Sequence, residues 1–512
     1  MSELTVIEVP RTHNPFPRDG IRIDDNGVAR YTILPDSLLT LLKRQADSKP
    51  DVEAVVEVGG ERLTYQQLWD RSARVSGGLR AAGIERGDRV AVRCPAGVNW
   101  VLAFWGTLMA GGIVVAVNTR SSQPEVEFVL GDAGVKVDLA ADSPLPDGDP
   151  FVIDGLGHDD VAAFFYTSGT TGNPKGVPTT HEAFLTNAEN MVRCLGIPPD
   201  TGAELRTLIS VPLFHVTGCN SQLLVAVQVG GTSVIMPAFN QAQLIAALTG
   251  ERITFMVTVP AVYSLILRRP EFADADVTGV RWVGYGGAPI ASALVRALEA
   301  AFPAARVFNG YGMTETASLM TALPHEDAVD HADSVGYAVP SVDLAIAPSG
   351  DDMTTGELVV RGANVTAGYW ERPETTAETI IDGWLHTGDV ARVDDAGRIH
   401  IVDRIKDIII RGGENVSSVE VEAALSTAPG VVEAAVLAVP DEVMGEKVGA
   451  VLYGGQETID VDKVIAHCRD RLADFKVPQY ITVLSDPLPR NPGGKLLKVT
   501  LRKTVQWGAP LR

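Results

Sequence analysis

Buried strands and amphipathic helices alternate along most of the chain. From "SLLTLLKRQA" onward, apolar residues recur at helical spacing, and "RVAVRC" (89–94) reads as a strand. Cys94 to Thr119 carries no charge, and its length approaches the ~20 residues of a membrane-spanning helix. "AGG" at 110–112 interrupts it, so the pattern predicts a buried helix over 98–109, a glycine turn and a buried strand "IVVAV". The rhythm continues with strands at "TLISVPLF" (207–214), "ITFMVTV" (253–259), "VRWVGYGG" (280–287) and "ARVFNGYG" (305–312). Helices fall between them at "AVYSLILRR", opened by Pro260, and at "SALVRALEAAF" (292–302). Such alternation predicts parallel sheets with helices on both faces, and ligands at the carboxyl ends of the strands.

Beyond about residue 340 the texture changes. "GELVVRG" (356–362) and "RIHIV" (398–402) are short strands between turns, as in a β-rich subdomain. After "DRIKD" (403–407) a smaller α+β pattern follows. Ser417 with Glu420 fits a capping box, "VVEAAVLAV", "VGAVLY" and "YITVL" read as strands, and "VDKVIAHCRDRLADF" reads as a helix. Residues 1–33 are proline-rich and irregular. The expected fold is α/β: a large N-terminal domain (1–402) of doubly wound sheets plus a β-rich subdomain, a hinge at 403–407, and a small mobile α+β domain at 408–512.

The chain has 512 residues, with 43 Lys+Arg against 64 Asp+Glu and a formal charge of −21. That surface repels nucleic acid and anionic lipid at long range, so a polyanionic ligand must meet a local cluster of donors. The four cysteines have neither metal-finger spacing nor a disulfide framework, and the first residues lack a signal-peptide core. Both features point to the cytoplasm.

The chemistry concentrates in "YTSGTTGNPKG" (166–176). Glycines let backbone N–H groups approach a phosphate, hydroxyls donate and a lysine supplies charge. The spacing is not that of the Walker loop. The string resembles the phosphate loop of the adenylate-forming superfamily, which contains acyl-CoA and aryl-CoA synthetases, firefly luciferase and peptide-synthetase adenylation domains. Its other motifs follow in order: "PLFH" (212–215), "YGGAP" (285–289), "YGMTE" (311–315), "WLHTGD" (384–389), "DRIKDIIIRGGENV" (403–416) and "PRNPGGK" (489–495). The resemblance covers nearly everything after the first 30 residues and is strongest to acyl-CoA synthetases.

The resemblance implies a two-step ligase using ATP, Mg2+ and coenzyme A. Thr167, Ser168, Gly169, Thr170, Thr171 and Lys175 match phosphate-binding positions, and Glu315 with Thr167 matches the Mg2+ site. Gly287, Ala288 and Pro289, with Asn309, Gly310, Tyr311 and Gly312, match the segments that sandwich adenine, and Thr314 joins the nucleotide-binding positions. Tyr311 is equally compatible with a plain core aromatic. Asp389 matches the ribose-binding carboxylate, and Arg404 matches a ribose or phosphate contact. Lys495 matches the lysine that bridges carboxylate and α-phosphate, and Lys406 matches the hinge. Gly412 and Gly413 match the lining of the pantetheine tunnel, and a simple tight turn is the alternative. His215 is expected near the acyl carboxylate.

Amino-acid-activating relatives usually carry aspartate where His215 stands, which argues for an apolar carboxylic acid rather than an α-amino acid. Glycines at 284, 286 and 287 suggest room beside it. The chain ends soon after Lys495 without a carrier domain, so free CoA is the expected acceptor. An amine or a separate carrier protein is the alternative. A non-catalytic nucleotide-binding module is a further alternative, and Lys495, Glu315 and Asp389 weigh against it. "PRNPGGK" also resembles the context in which acyl-CoA synthetases are acetylated, implying a lysine acetyltransferase as a partner at Lys495. Monomer and homodimer both stay open.

Overall fold

The computed structural model describes residues 5–141, 143–167, 173–348, 353–455, 458–490 and 496–511. Two sheets carry most of the parallel strands. One is ordered Lys175–Thr180, Val161–Thr167, Ile113–Ala116, Arg89–Arg93, Val135–Ala140, with only the first pair antiparallel. The other is nine-stranded. Its parallel centre runs Arg306–Met313, Trp282–Gly286, Phe255–Thr258, Arg206–Ile209, Thr232–Ile235, Glu53–Glu57. An antiparallel sheet of Ile7–Glu8, Val342–Pro348, Thr355–Gly362, Trp384–Val393, Ile380–Ile381 and Ile399–Arg404 forms the β-rich subdomain. A fourth, five-stranded sheet with the helices Ser418–Leu425 and Val461–Arg469 forms the C-terminal α+β part. The expected α/β class is borne out.

The helix His181–Leu195 is buried on almost every face, which places it at the centre of the molecule. Phe184 and Leu185 join one apolar cluster and Met191 and Leu195 another. The charge-free run divides as the sequence predicts. Val98–Met109 is a buried helix, Gly111 turns the chain at φ +82°, and Ile113–Ala116 is a buried strand. Among the described residues no helix is long and apolar enough to cross a membrane.

Several local expectations need correction. The strand expected over 207–214 stops at Ile209, because the chain turns so that His215 N–H donates to Pro212 O. The helix expected over "VDKVIAHCRDRLADF" ends at Arg469, where Arg471 and Leu472 N–H both turn back to Cys468 O. Ser417 caps its helix by accepting from Glu420 N–H, but the Glu420 carboxylate pairs with Lys476 instead of returning to the cap. The first 33 residues include three short strands, and Ile7–Glu8 extends the β-rich sheet at its edge.

The room suggested by glycine is also filled. A Cβ on Gly284 would lie 2.2 Å from the Phe308 ring, and one on Gly286 would lie 2.3 Å from Gly310 O. Both glycines let the strand Arg306–Met313 pack closely. Gly284→Ala should therefore destabilise the chain by about 1–3 kcal/mol, read as a lower urea midpoint at unchanged slope.

Candidate active site

The strands Val161–Thr167 and Lys175–Thr180 are antiparallel neighbours with Thr167 opposite Lys175, so the Gly/Thr-rich segment is the connection of a hairpin. Ser168, Gly169, Thr170 and Thr171 lie outside the described residues, but its mouth is defined. Lys175 Nζ sits 4.3 Å from the centroid of the Tyr369 ring, where the π face attracts the cation. The Tyr369 hydroxyl donates to Glu315 Oε1 at 2.8 Å. Burial, and then the Glu315 charge, push the Tyr369 phenol well up, so it stays a donor. Thr366 N–H donates to Glu315 O at 2.8 Å, and Trp370 N–H to Gly176 O at 2.9 Å. Segment 366–370 thus ties the hairpin to the buried Glu315.

A second buried carboxylate lies on the strand Trp384–Val393. Asp389, 5% exposed, lies opposite Arg404 in register. Tyr311 donates its hydroxyl to Asp389 Oδ2 at 2.5 Å, while its half-buried ring packs against the core. The ring's packing is that of a core aromatic, and the hydroxyl adds a bond that neither reading of the ring contained. Arg404 Nε is 3.0 Å from Asp389 Oδ1, yet Oδ1 is buried without an aligned hydrogen bond. Such an acceptor suits a hydroxyl donor from a ligand. Gly286 pairs with Gly310 and Tyr285 with Asn309, so the segment starting at Gly287 leaves its strand beside Asn309–Gly312, which stay within the strand Arg306–Met313. Ala288 and Pro289 follow Gly287, whose φ is +74°. A Cβ on Gly312 would fall 1.4 Å from Ser318 O, which fixes glycine there. Thr314 opens the short turn that carries Glu315.

His215 lies beyond the strand Arg206–Ile209 and caps a helix that passes into a π-helical turn, Cys219–Leu223. Its Nε2 is buried without a hydrogen-bond partner, and burial lowers the ring to about 4. Imidazole is therefore neutral at physiological pH. Of the remaining expected residues, Lys495 lies outside the described residues. Gly412 and Gly413 form the two-residue turn between Ile409–Arg411 and Glu414–Val416, with φ +60° and +89°. That conformation is what a tight hairpin needs.

Sequence reasoning passed over Tyr369 and three buried asparagines, Asn187, Asn220 and Asn364. The available signal was an amide residue inside each apolar run, in "FLTNAEN", "GCNSQLLV" and "RGANV". Among the described residues no three of His, Cys, Asp and Glu converge as a metal cage. Glu315 beside a phosphate hairpin still fits Mg2+, which commonly takes one or two carboxylates and completes its shell with substrate phosphates and water.

Two sequence families match the chain: AMP-binding enzyme, over residues 42–150 and 140–370, and AMP-binding enzyme C-terminal domain, over 420–495. The long-chain-fatty-acid–CoA ligase FadD13 of Mycobacterium tuberculosis is 35% identical over 506 residues, covering 92% of this chain and 99% of that protein. Feruloyl-CoA synthase of Amycolatopsis sp is 37% identical over 486 residues, covering 90% and 97%. Among solved structures, o-succinylbenzoate CoA synthetase (MenE) of Bacillus subtilis is 29% identical in two complexes. With the acyl-adenylate intermediate the TM-score is 0.81, covering 91% of this chain and 98% of that one. With ATP and magnesium ion it is 0.82, covering 90% and 99%. The chain belongs to the AMP-binding, adenylate-forming enzyme superfamily.

Tyr369→Phe removes the donor to Glu315 and leaves a buried carboxylate oxygen short of a partner. It should cost about 1–3 kcal/mol of stability, measured by urea unfolding at pH 7.5. A second expectation concerns acid. His215 and His181 are both held to about 4 by burial, against 6.5 in the unfolded chain. The unfolded chain then binds protons that the folded chain refuses, so stability falls as pH drops from 6.5 toward 4 and levels off below. Unfolding of His215→Gln, followed between pH 7 and pH 4, should show a shallower decline than the parent.

Proposed function

We propose that this protein is a carboxylic acid–CoA ligase that activates an apolar acid as its acyl-adenylate. The observation that carries the reading is the pairing of two buried carboxylates through one hairpin. Tyr311 reaches Asp389, and Glu315, four residues on, reaches Tyr369 and the Lys175 side. Ribose and phosphate ends of one nucleotide would then lie along a single strand and its turn. The full-length relatives are ligases of fatty and aromatic acids with CoA, which supports the reaction class.

In the first step a carboxylate oxygen of the acid bonds to the α-phosphorus of ATP. The bond from that phosphorus to the bridging oxygen breaks, and pyrophosphate leaves. Thr167 and Lys175 hold the leaving phosphates. Glu315 and Thr167 would hold Mg2+, which when bound would lessen repulsion between the two anions. Asp389 accepts from the ribose hydroxyls, beside Arg404. Neutral His215, with its free Nε2, lies toward the acid carboxylate and supplies no negative charge to pair with an α-amino group. Lys495 neutralises the developing charge between carboxylate and α-phosphate. In the second step the sulfur of CoA bonds to the acyl carbonyl carbon and AMP leaves, after rotation at Lys406 brings Gly412 and Gly413 to the site. Free cysteines at 94, 194, 219 and 468 agree with a reducing, cytoplasmic setting, and acetylation of Lys495 would silence the first step by removing its charge.

The test is pyrophosphate release across a panel of aliphatic, aromatic and polycyclic acids, followed by CoA-thioester detection. Lys495→Ala should abolish acyl-AMP formation and largely spare CoA transfer from supplied acyl-AMP. Equal loss of both half-reactions would overturn the assignment of Lys495 to the first. Pyrophosphate release without thioester formation would favour an amine or a carrier protein as acceptor.

A further inference from the structure

The turn that carries Glu315 is strained. Ala317 has φ +51° and Ser318 has φ +119°, in the region that side chains rarely adopt. Non-glycine residues persist there only when the surroundings over-determine them. The surroundings here are three asparagines, Asn187, Asn220 and Asn364, each at most 1% exposed and each from a different element. Asn364 Nδ2 donates to Thr316 O at 2.7 Å and to Leu319 O at 2.9 Å. Asn220 Nδ2 donates to Ala317 O at 2.8 Å. Asn187 Oδ1 accepts from Leu319 N–H at 3.0 Å, and its Nδ2 donates to Asn220 O at 3.1 Å. Ser221 Oγ meets Ser318 Oγ at 2.7 Å. Consecutive peptide groups from Thr316 to Leu319 are thus gripped from three sides.

Resting on the function proposed above, we infer that Asn187, Asn220 and Asn364 are positioning residues that hold this strained turn so that Glu315 presents its carboxylate to the Mg2+–phosphate site. Asn220 and Ser221 sit in the π-helical turn that follows His215, so the clamp also joins the acid-binding wall to the metal carboxylate as one mechanical unit. Isolated π turns are frequent at functional sites because they aim side chains that a regular helix would turn away. Amides suit the task. They supply donors to carbonyls without introducing a buried charge beside Glu315. Simple packing would not require the donors to converge on one strained turn.

The experiment compares the parent chain with Asn220→Ala, Asn364→Ala, Ala317→Gly and the two double variants. Two readouts are used: thermal stabilisation by a non-hydrolysable ATP analogue as Mg2+ is titrated, and kcat and KM for acid-dependent adenylation. Each asparagine variant should raise the half-saturating Mg2+ concentration and lower kcat by about tenfold, with AMP affinity, which reports the Asp389 side, within about twofold. Glycine adopts positive φ freely, so adding Ala317→Gly should recover a substantial part of the loss. A role in packing alone would lower melting temperature without that rescue. Folded variants with parental Mg2+ dependence and kcat would overturn the inference, as would an equal loss of AMP affinity. Asn220→Ser and Asn364→Ser serve the same comparison where an alanine variant does not fold. A parent chain that binds Mg2+ with the analogue but adenylates no acid would instead sink the proposed function, and the Mg2+ titration would still report on the clamp.

Discussion

The carboxylate of Asp389 is almost wholly out of water, and its compensation organises the site. Burying a charge costs several kcal/mol unless donors or an opposite charge stand in for water. Here they come from two separated parts of the chain. Tyr311 belongs to the nine-stranded sheet and Arg404 to the last strand before the C-terminal part. One side chain therefore ties the nine-stranded sheet, through Tyr311, to the end of the last strand of the β-rich sheet, through Arg404. It does so within a chain of formal charge −21, where the cations Lys175 and Arg404 are local exceptions to the surrounding field. An anionic ligand is attracted only once it is inside, which makes placement of these few groups more important than overall charge.

Much of the fold was legible because burial leaves a periodic trace. Val98–Met109 and Ile113–Ala116 could be read from apolar runs broken by Gly111, and the parallel architecture from the alternation itself. Element ends were less legible. The strand ending at Ile209 and the helix ending at Arg469 stop where backbone N–H groups find partners earlier in the chain, which hydrophobicity does not encode. The motifs drew attention to Glu315, Tyr311 and Asp389 separately, and only the structure joins the last two through a hydrogen bond. The asparagines showed only as amides inside apolar runs, and their contacts, like that of Tyr369, were illegible for a different reason. Their partners are main-chain carbonyls or residues many positions away, such as Asn364 with Thr316 and Asn187 with Leu319. Nothing in local composition reports such a contact.

The junction between the two parts of the chain is anchored on both sides. Ile405 N–H donates to Gly388 O, and Arg404 pairs with Asp389, so these two residues belong to the β-rich sheet. Asp407 pairs with Arg502 and belongs to the C-terminal part. Lys406 lies between those two anchors, but Asp407 and Ile408 N–H both donate to Arg404 O across it and Arg502 reaches Lys406 O at 3.3 Å, so a change of backbone angle there would break these contacts. Two earlier bonds add to this. Ser417 donates to Val402 O at 2.7 Å, and Ser418 Oγ donates to Asp403 at 3.1 Å, with Lys498 Nζ behind it at 2.7 Å from Ser418 and from Glu422. A rotation at Lys406 would have to give them up, and with them the pairing of a carboxylate that is 1% exposed. Asp403 is raised by burial, against the bonds from Ser418 and the nearby charge of Lys498, which favour its charged form.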